Sequence, residues 1–157
     1  MKTIDIEIAL MRKLGIRINL IVPNVSWGMD GMHECDLLCL SKSGYATEVE
    51  IKVSKADILN DKKKDHNHEH RLITYLYFAV PEKLEEFALK HIPSHAGLYI
   101  ITTNDYGSMF VSTSRQAQKQ KGEKWSIEDR YKLARLGALR ILGLKSKIKE
   151  LKEILNE

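Results

Sequence analysis

Glu48, Glu50 and Lys52 stand two residues apart in a stretch that alternates strictly, Ala46-Thr47-Glu48-Val49-Glu50-Ile51-Lys52-Val53-Ser54. In a strand, this puts Thr47, Val49, Ile51 and Val53 on one face and Glu48, Glu50, Lys52 and Ser54 on the other. A second strand-like run, His33-Glu34-Cys35-Asp36-Leu37-Leu38-Cys39-Leu40, carries acids at its start, and Ser41-Lys42-Ser43-Gly44 between the two reads as a hairpin turn. Closing that hairpin carries Asp36 toward Glu50 and Lys52. Two carboxylates supply hard oxygen ligands for Mg²⁺ or Mn²⁺. Such an ion polarises a phosphoryl oxygen and helps to generate hydroxide. An ammonium one step along the same face can orient the attacking water or stabilise developing negative charge. The plainer alternative is an exposed sheet face carrying Glu–Lys pairs of little energetic consequence. The triplet alone decides nothing, because Glu50-Ile51-Lys52 has a twin in Glu150-Leu151-Lys152 on the terminal helix. The strand context and Asp36 distinguish the first copy.

The elements that must hold these residues follow from periodicity and from turn residues. Ile4, Ile8, Met11 and Leu14 make a helical stripe ending in Arg12 and Lys13, with Gly15 just beyond, so residues 3–14 are expected to be a helix. Ile16 to Val22 reads as a first strand stopped by Pro23. Glu34 to Leu40 and Ala46 to Ser54 are the next two. Ser54 is of the type that caps a helix, here one expected over Lys55 to Lys64, on which Asp57 and Asp61 share one side. Arg71 to Val80 is apolar and aromatic, as suits a strand near the sheet centre. Pro81 is expected to open a helix reaching about Lys90. Leu98 to Thr102 and Met109 to Ser112 complete the strands, joined by Asn104-Asp105-Tyr106-Gly107. Residues 113–124 read as a linker. Ser126 and Asp129 then resemble a capping box. Beyond them Tyr131, Ala134, Ala138, Ile141, Leu144, Ile148, Leu151 and Leu155 form one stripe, with a break expected near Gly143.

This order predicts an α/β protein with a mixed sheet flanked by helices. Its division would be a core over 1–113 and a basic linker with C-terminal helices over 114–157. Asp36 with Glu50-Ile51-Lys52 resembles the PD-(D/E)XK nuclease superfamily. The run Glu50-Ile51-Lys52-Val53-Ser54-Lys55-Ala56-Asp57, then Asp61-Lys62-Lys63, Leu76-Tyr77-Phe78-Ala79-Val80-Pro81 and Ala96-Gly97-Leu98-Tyr99 looks like the MmcB-type DNA-repair branch. The likeness spans roughly residues 30 to 112, and Lys64 stands where that branch tends to carry Trp. The resemblance implies a restriction-endonuclease-like fold with an αβββαβ core and metal-dependent hydrolysis of DNA phosphodiesters. Asp36, Glu50 and the main-chain carbonyl of Ile51 would hold Mg²⁺ or Mn²⁺, and Lys52 would position the water.

Other residues have readings both with and without function. Glu34 and Glu48 flank the acids and can hold water or stay solvated, and Glu7 can reach the site from the first helix. Ser54 is a cap or a site neighbour; Asp57 is a first-turn acid or orients Lys52. Lys55, Lys62, Lys63 and Lys64 suit both a helix dipole and a phosphate. His66, His68 and His70 lie in a polar stretch without a nearby cysteine, and His33 beside the first acid strand is a candidate base. Trp27 and Met29 are loop anchors or substrate contacts. Cys35 and Cys39, four strand steps or roughly 13 Å apart, are too distant for a disulfide and read as buried thiols. Hydrophobic residues make up 43% of the chain and no apolar run is long enough for a membrane helix, so a cytoplasmic protein is expected. The net charge of +4 belongs to the C-terminal third, which suits DNA or a homodimer formed through the C-terminal helices. Two rival readings are a non-catalytic nucleic-acid-binding module and an oligomerising interaction domain.

Overall fold

The first helix is closed by its own backbone. In the computed structural model, which describes residues 2–25, 29, 31–61 and 70–155, α1 spans Thr3–Lys13. Gly15, at φ +75°, lets its N–H reach Arg12 O and the Ile16 N–H reach Met11 O. These two bonds form a Schellman motif, which satisfies carbonyls the helix would otherwise leave open. The buried face of α1 is Ile6, Ala9 and Leu10, whereas Ile4 and Ile8 of the expected stripe are exposed. The true face is rotated because the sheet meets α1 along Ile6 and Leu10, with Met11 and Leu14 at its edge.

Six strands then form one mixed sheet whose spatial order equals the chain order: β1 Leu20–Val25, β2 Cys35–Leu40, β3 Ala46–Ile51, β4 Ile73–Pro81, β5 Gly97–Thr103 and β6 Met109–Arg115. The first three strands run antiparallel as a meander, β3, β4 and β5 run parallel, and β6 returns antiparallel. Each parallel step needs a crossover. These are α2, Lys55–Asp61, and a 3-10 turn leading into α3, Glu85–His91. Pro23 does not stop β1 as expected. The strand runs through it to Val25 because β1 is an edge strand pairing only with β2, where a missing N–H costs no ladder bond. Pro81 is the last residue of β4 and the N-cap of the 3-10 turn, so the helical segment expected there begins one residue on, at Glu82, and reaches His91; Gly97 begins β5.

The two sheet faces carry different cores. On one, α1 covers Ile21, Leu37, Val49, Ile51, Tyr77 and Tyr99, with the two tyrosine rings stacked 4.2 Å apart. On the other, two apolar clusters stand side by side. One joins Val22, Leu38 and Leu40 to Trp125, Leu133 and Leu136; the other joins Leu76, Phe78 and Val80 to α2 and α3 through Ile58, Leu84 and Ala88. Glu48 pairs with Leu38 on one side and Leu76 on the other, so the polar face of β3 runs between the clusters.

The stretch expected to be a linker is part of this body. β6 continues to Arg115, and the chain beyond it crosses the sheet end as a strap. Gln118 N–H donates to His95 O, Gln120 N–H to Thr74 O, Glu123 N–H to Arg71 O and Trp125 N–H to Gly44 O. The Trp125 indole is buried and donates to Leu72 O at 2.7 Å. Ser126 and Asp129 form the expected cap: Ser126 Oγ lies 2.6 Å from Asp129 Oδ2 and accepts from Asp129 N–H at 3.1 Å. From there α4 runs unbroken over Ile127–Leu155, through Gly143, rather than breaking there. It buries Leu133 and Leu136 rather than Tyr131, Ala134 and Ala138. Among the described residues, no helix is long and apolar enough to cross a membrane.

Two glycines test this packing in opposite directions. A Cβ on Gly122 would sit 2.3 Å from Ile73 O, so Gly122→Ala forces the strap off the sheet and is expected to lose about 1–3 kcal/mol. A Cβ on Gly143 meets nothing within 4 Å, so Gly143→Ala removes a flexible residue from an exposed helix and is expected to gain about 0.5–1 kcal/mol. Urea unfolding of the two variants beside wild type measures both.

Candidate functional site

β3 is the source of the site because it lies between β2 and β4, and the helices on the polar side do not cover it with hydrocarbon alone. Glu48, Glu50 and Lys52 are 0%, 1% and 7% exposed, so the exposed, salt-bridged face is ruled out. Each charge must then be met by a partner, because an isolated ion in the interior would neutralise or unfold the site. The partners come from three elements. Lys52 Nζ lies 2.6 Å from Glu50 Oε2 and 2.8 Å from Asp61 Oδ1. Glu48 Oε1 lies 2.8 Å from His33 Nε2. Half-buried Asp36 accepts the Ile51 N–H through Oδ2 at 2.7 Å, which ties the start of β2 to the end of β3. The Lys52 N–H donates to Ala79 O, so the backbone on which the ammonium stands is fastened to β4.

The turn after β3 delivers Asp61. Ser54 Oγ accepts the Asp57 N–H at 3.1 Å and so caps α2, as expected of it. That cap aims the helix so that its last residue, Asp61, turns back onto Lys52. The acid at Lys52 is the buried Asp61, whereas Asp57, read either as a first-turn acid or as a residue that orients Lys52, stands in the first turn of α2 with its N–H on Ser54. Both acids were visible four residues apart, but only the direction of α2 decides between them. Glu34 is exposed and stays in solvent. Glu7, on α1, lies near enough to Asp36 for the two charges to interact and is 3.5 Å from Asn24 Nδ2. Lys55 is exposed, with its ammonium 5.2 Å from the Phe87 ring centroid. Cys35 and Cys39 are buried thiols, as expected, and burial pushes the Cys39 thiol up to about 11. Lys62, Lys63, Lys64, His66, His68 and Trp27 lie outside the described residues.

Electrostatically the site is an excess of acid around one amine. Burial pushes the Glu50 carboxyl above its ordinary range; the Lys52 ammonium opposes this, and the charges of Asp36 and Glu48 add to it. Burial alone would lower the Lys52 amine, but Glu50 and Asp61 outweigh it and hold the amine protonated. Glu7 is likewise raised by burial, with Asn24 opposing. Asp36, Glu48 and Glu50 are oxygen donors of the kind a small hard cation takes, and the Ile51 carbonyl lies in the same turn of chain. The donor set therefore fits a divalent ion in type. No group of three or more His, Cys, Asp or Glu residues among the described residues is arranged as a metal cluster.

No known family profile matches the chain, and no curated protein does. Among solved structures it is similar to SPO1766, a protein of unknown function from Silicibacter pomeroyi. The TM-score is 0.60 at 21% identity, over 92% of this chain and 88% of that one. At that identity the likeness is one of fold.

Removing the ammonium leaves Glu50 buried beside other acids. Lys52→Met is expected to cost about 3–5 kcal/mol at pH 8. The sign with pH follows from the raised Glu50 carboxyl. Above the ordinary carboxylate range the folded state holds its proton longer than the unfolded state, so stability falls as pH rises through that window. Without Lys52 the window widens upward, so the loss is smaller at pH 5 than at pH 8. Urea titrations of both proteins at the two pH values check it.

Proposed function

We propose that this chain is a metal-dependent DNA phosphodiesterase of the PD-(D/E)XK type, of the MmcB-like DNA-repair branch, on a restriction-endonuclease-like fold. The observation that carries the reading is the buried pairing of Lys52 with Glu50 on the polar face of β3, with Asp36 held against the next backbone N–H. A structural protein has little reason to keep three carboxylates and one amine in the middle of a sheet. Replacing such a set with hydrocarbon is often neutral or stabilising. The αβββαβ order of elements supports it, as does the sequence likeness over roughly residues 30 to 112.

In this reading Asp36, Glu50 and the Ile51 carbonyl hold Mg²⁺ or Mn²⁺. When bound, the ion supplies Lewis-acid polarisation of a phosphate oxygen and a lowered pKa for water. The chain's own residues do the rest. Lys52, kept protonated by Glu50 and Asp61, orients a water or steadies the negative charge that develops on the phosphate. Asp61, 2.8 Å from Lys52 Nζ, would hold the ammonium in place if Glu50 served as a ligand. His33 fixes the Glu48 carboxylate, so that acid holds water rather than turning outward. The basic residues Lys55, Lys62, Lys63 and Lys64 follow β3 in the chain and would meet the DNA backbone. A cytoplasmic location accords with such a role.

A second reading keeps the fold without the chemistry. The close contacts of Lys52 with both Glu50 and Asp61 favour it, because they already satisfy the amine. The two readings part on metal. Wild type is expected to nick supercoiled plasmid or cut single-stranded oligonucleotides with Mn²⁺ or Mg²⁺ and to stop in EDTA. Asp36→Asn, Glu50→Gln and Lys52→Met are each expected to fall at least about a hundredfold. A Mn²⁺-dependent rise in melting temperature should appear in wild type and vanish in Asp36→Asn and Glu50→Gln. Cleavage undiminished in Glu50→Gln, or no thermal shift and no cleavage with either ion, overturns the nuclease reading and leaves the binding module.

A further inference from the structure

The second half of α4 has an apolar seam that stays exposed among the described residues, apart from a cavity that Leu144 and Lys147 line together with Ile4 and Glu7 of α1. From Ile141 the apolar residues step by three and four: Ile141, Leu144, Ile148, Leu151 and Leu155. Isoleucine at one seam position and leucine at the other, repeated, is the pattern of a two-stranded coil. All five are at least 52% exposed. Upstream a different side of the helix is used, where Leu133 and Leu136 rather than Ala134 and Ala138 of the stripe enter the core and Arg140 donates to Asn24 O. Beyond that point the sheet ends and the helix does not. At 1.5 Å per residue the uncovered part extends about 22 Å.

The flanks of the seam say what would cover it. Lys145 and Lys152 lie along one flank and Lys147 and Ile154 along the other, with no acid of α4 on either, and Lys147 shares a cavity with Glu7 of α1. The acids of this half, Glu150 and Glu153, fall on the far side of the helix, where Glu153 lies 3.6 Å from Lys149. A second copy is disfavoured by these charges. A parallel pair sets Lys147 beside the other copy's Lys152; an antiparallel pair sets flank lysines against flank lysines. A lipid surface is disfavoured by composition: Leu142 and Ile154 stand exposed beside the seam, but residues 127–157 contain neither Trp nor Phe, the residues that seat interfacial helices. Nucleic acid would meet the lysines and leave the isoleucines and leucines wet.

We propose that residues 141–155 are a docking helix for another protein, pairing with an amphipathic helix whose apolar seam is flanked by Glu or Asp. The partner's acids meet Lys145, Lys147 and Lys152, and its seam buries the five apolar side chains. This proposal does not rest on the nuclease reading and stands or falls separately from it.

The test uses the full chain and two synthetic three-heptad peptides, both with Ile and Leu at the seam, one with Glu at every flanking position and one with Lys. Sedimentation of the chain alone is expected to show a monomer. Titration by calorimetry is expected to show the Glu peptide binding at least about tenfold more tightly than the Lys peptide. The variant Ile148→Asp/Leu151→Asp, whose changes lie on exposed positions, should lose binding with an unchanged circular dichroism spectrum. The variant Lys145→Glu/Lys147→Glu/Lys152→Glu should invert the preference between the peptides. Self-association of the chain alone that Ile148→Asp/Leu151→Asp abolishes would overturn the proposal in favour of a homodimer. So would equal affinity for the two peptides. Binding to phosphatidylglycerol vesicles with no binding to the Glu peptide would overturn it in favour of a membrane surface.

Discussion

The buried ion pair between Lys52 and Glu50 is the constraint around which the other features of this protein are arranged. Taking a carboxylate or an ammonium out of water costs several kcal/mol even after relaxation. The cost is tolerable only where short contacts offset it, and here they are 2.6 and 2.8 Å. Those contacts require three independent placements. β3 must end where it does, α2 must be capped by Ser54 and directed back, and β4 must hold the Lys52 backbone through Ala79. Loosen any one and an acid remains buried without its cation.

The same constraint explains the divided core. An uninterrupted apolar layer cannot cover the polar face of β3, so the hydrocarbon gathers into two clusters on either side of the Glu48–Glu50 column. Each cluster is closed by its own helices: α2 and α3 over β4 and β5, and the start of α4 with Trp125 over β1 and β2. The opposite face has one cluster and one helix. A column of acids between two dry clusters is a low-dielectric setting, and it is burial first that raises the Glu50 carboxyl.

The strap from β6 to Trp125 changes the standing of the C-terminal third. It crosses the sheet end through backbone bonds to His95, Thr74, Arg71 and Gly44, so α4 begins anchored in the core. One helix therefore has two environments. Its first part is held by Leu133 and Leu136, and its second part runs past the body with an apolar seam between lysines. The stripe runs through both parts, but the core takes Leu133 and Leu136 off the stripe in the first, and the second runs past the sheet.

Local signals were legible in the chain because they depend on neighbours within a few residues. The period-two alternation of residues 46–54 sorted Glu48, Glu50 and Lys52 from Val49 and Ile51 correctly, because successive side chains in a strand must point to opposite faces. Ser41–Gly44, Gly15, the Ser54 cap and the Ser126–Asp129 box likewise follow from backbone dihedrals and short hydrogen bonds. What the chain alone left undecided is everything set by elements distant in sequence: Asp61 rather than Asp57 at Lys52, His33 at Glu48, the rotated face of α1, the strap read as a linker, and β1 passing Pro23 because it lies at an edge. Residue types determined which side chains could do chemistry and on which face of β3 they stand. Only the packing of helices and strands around that face decided that the charges are buried and which partners meet them, because burial belongs to the assembled layers and to no segment by itself.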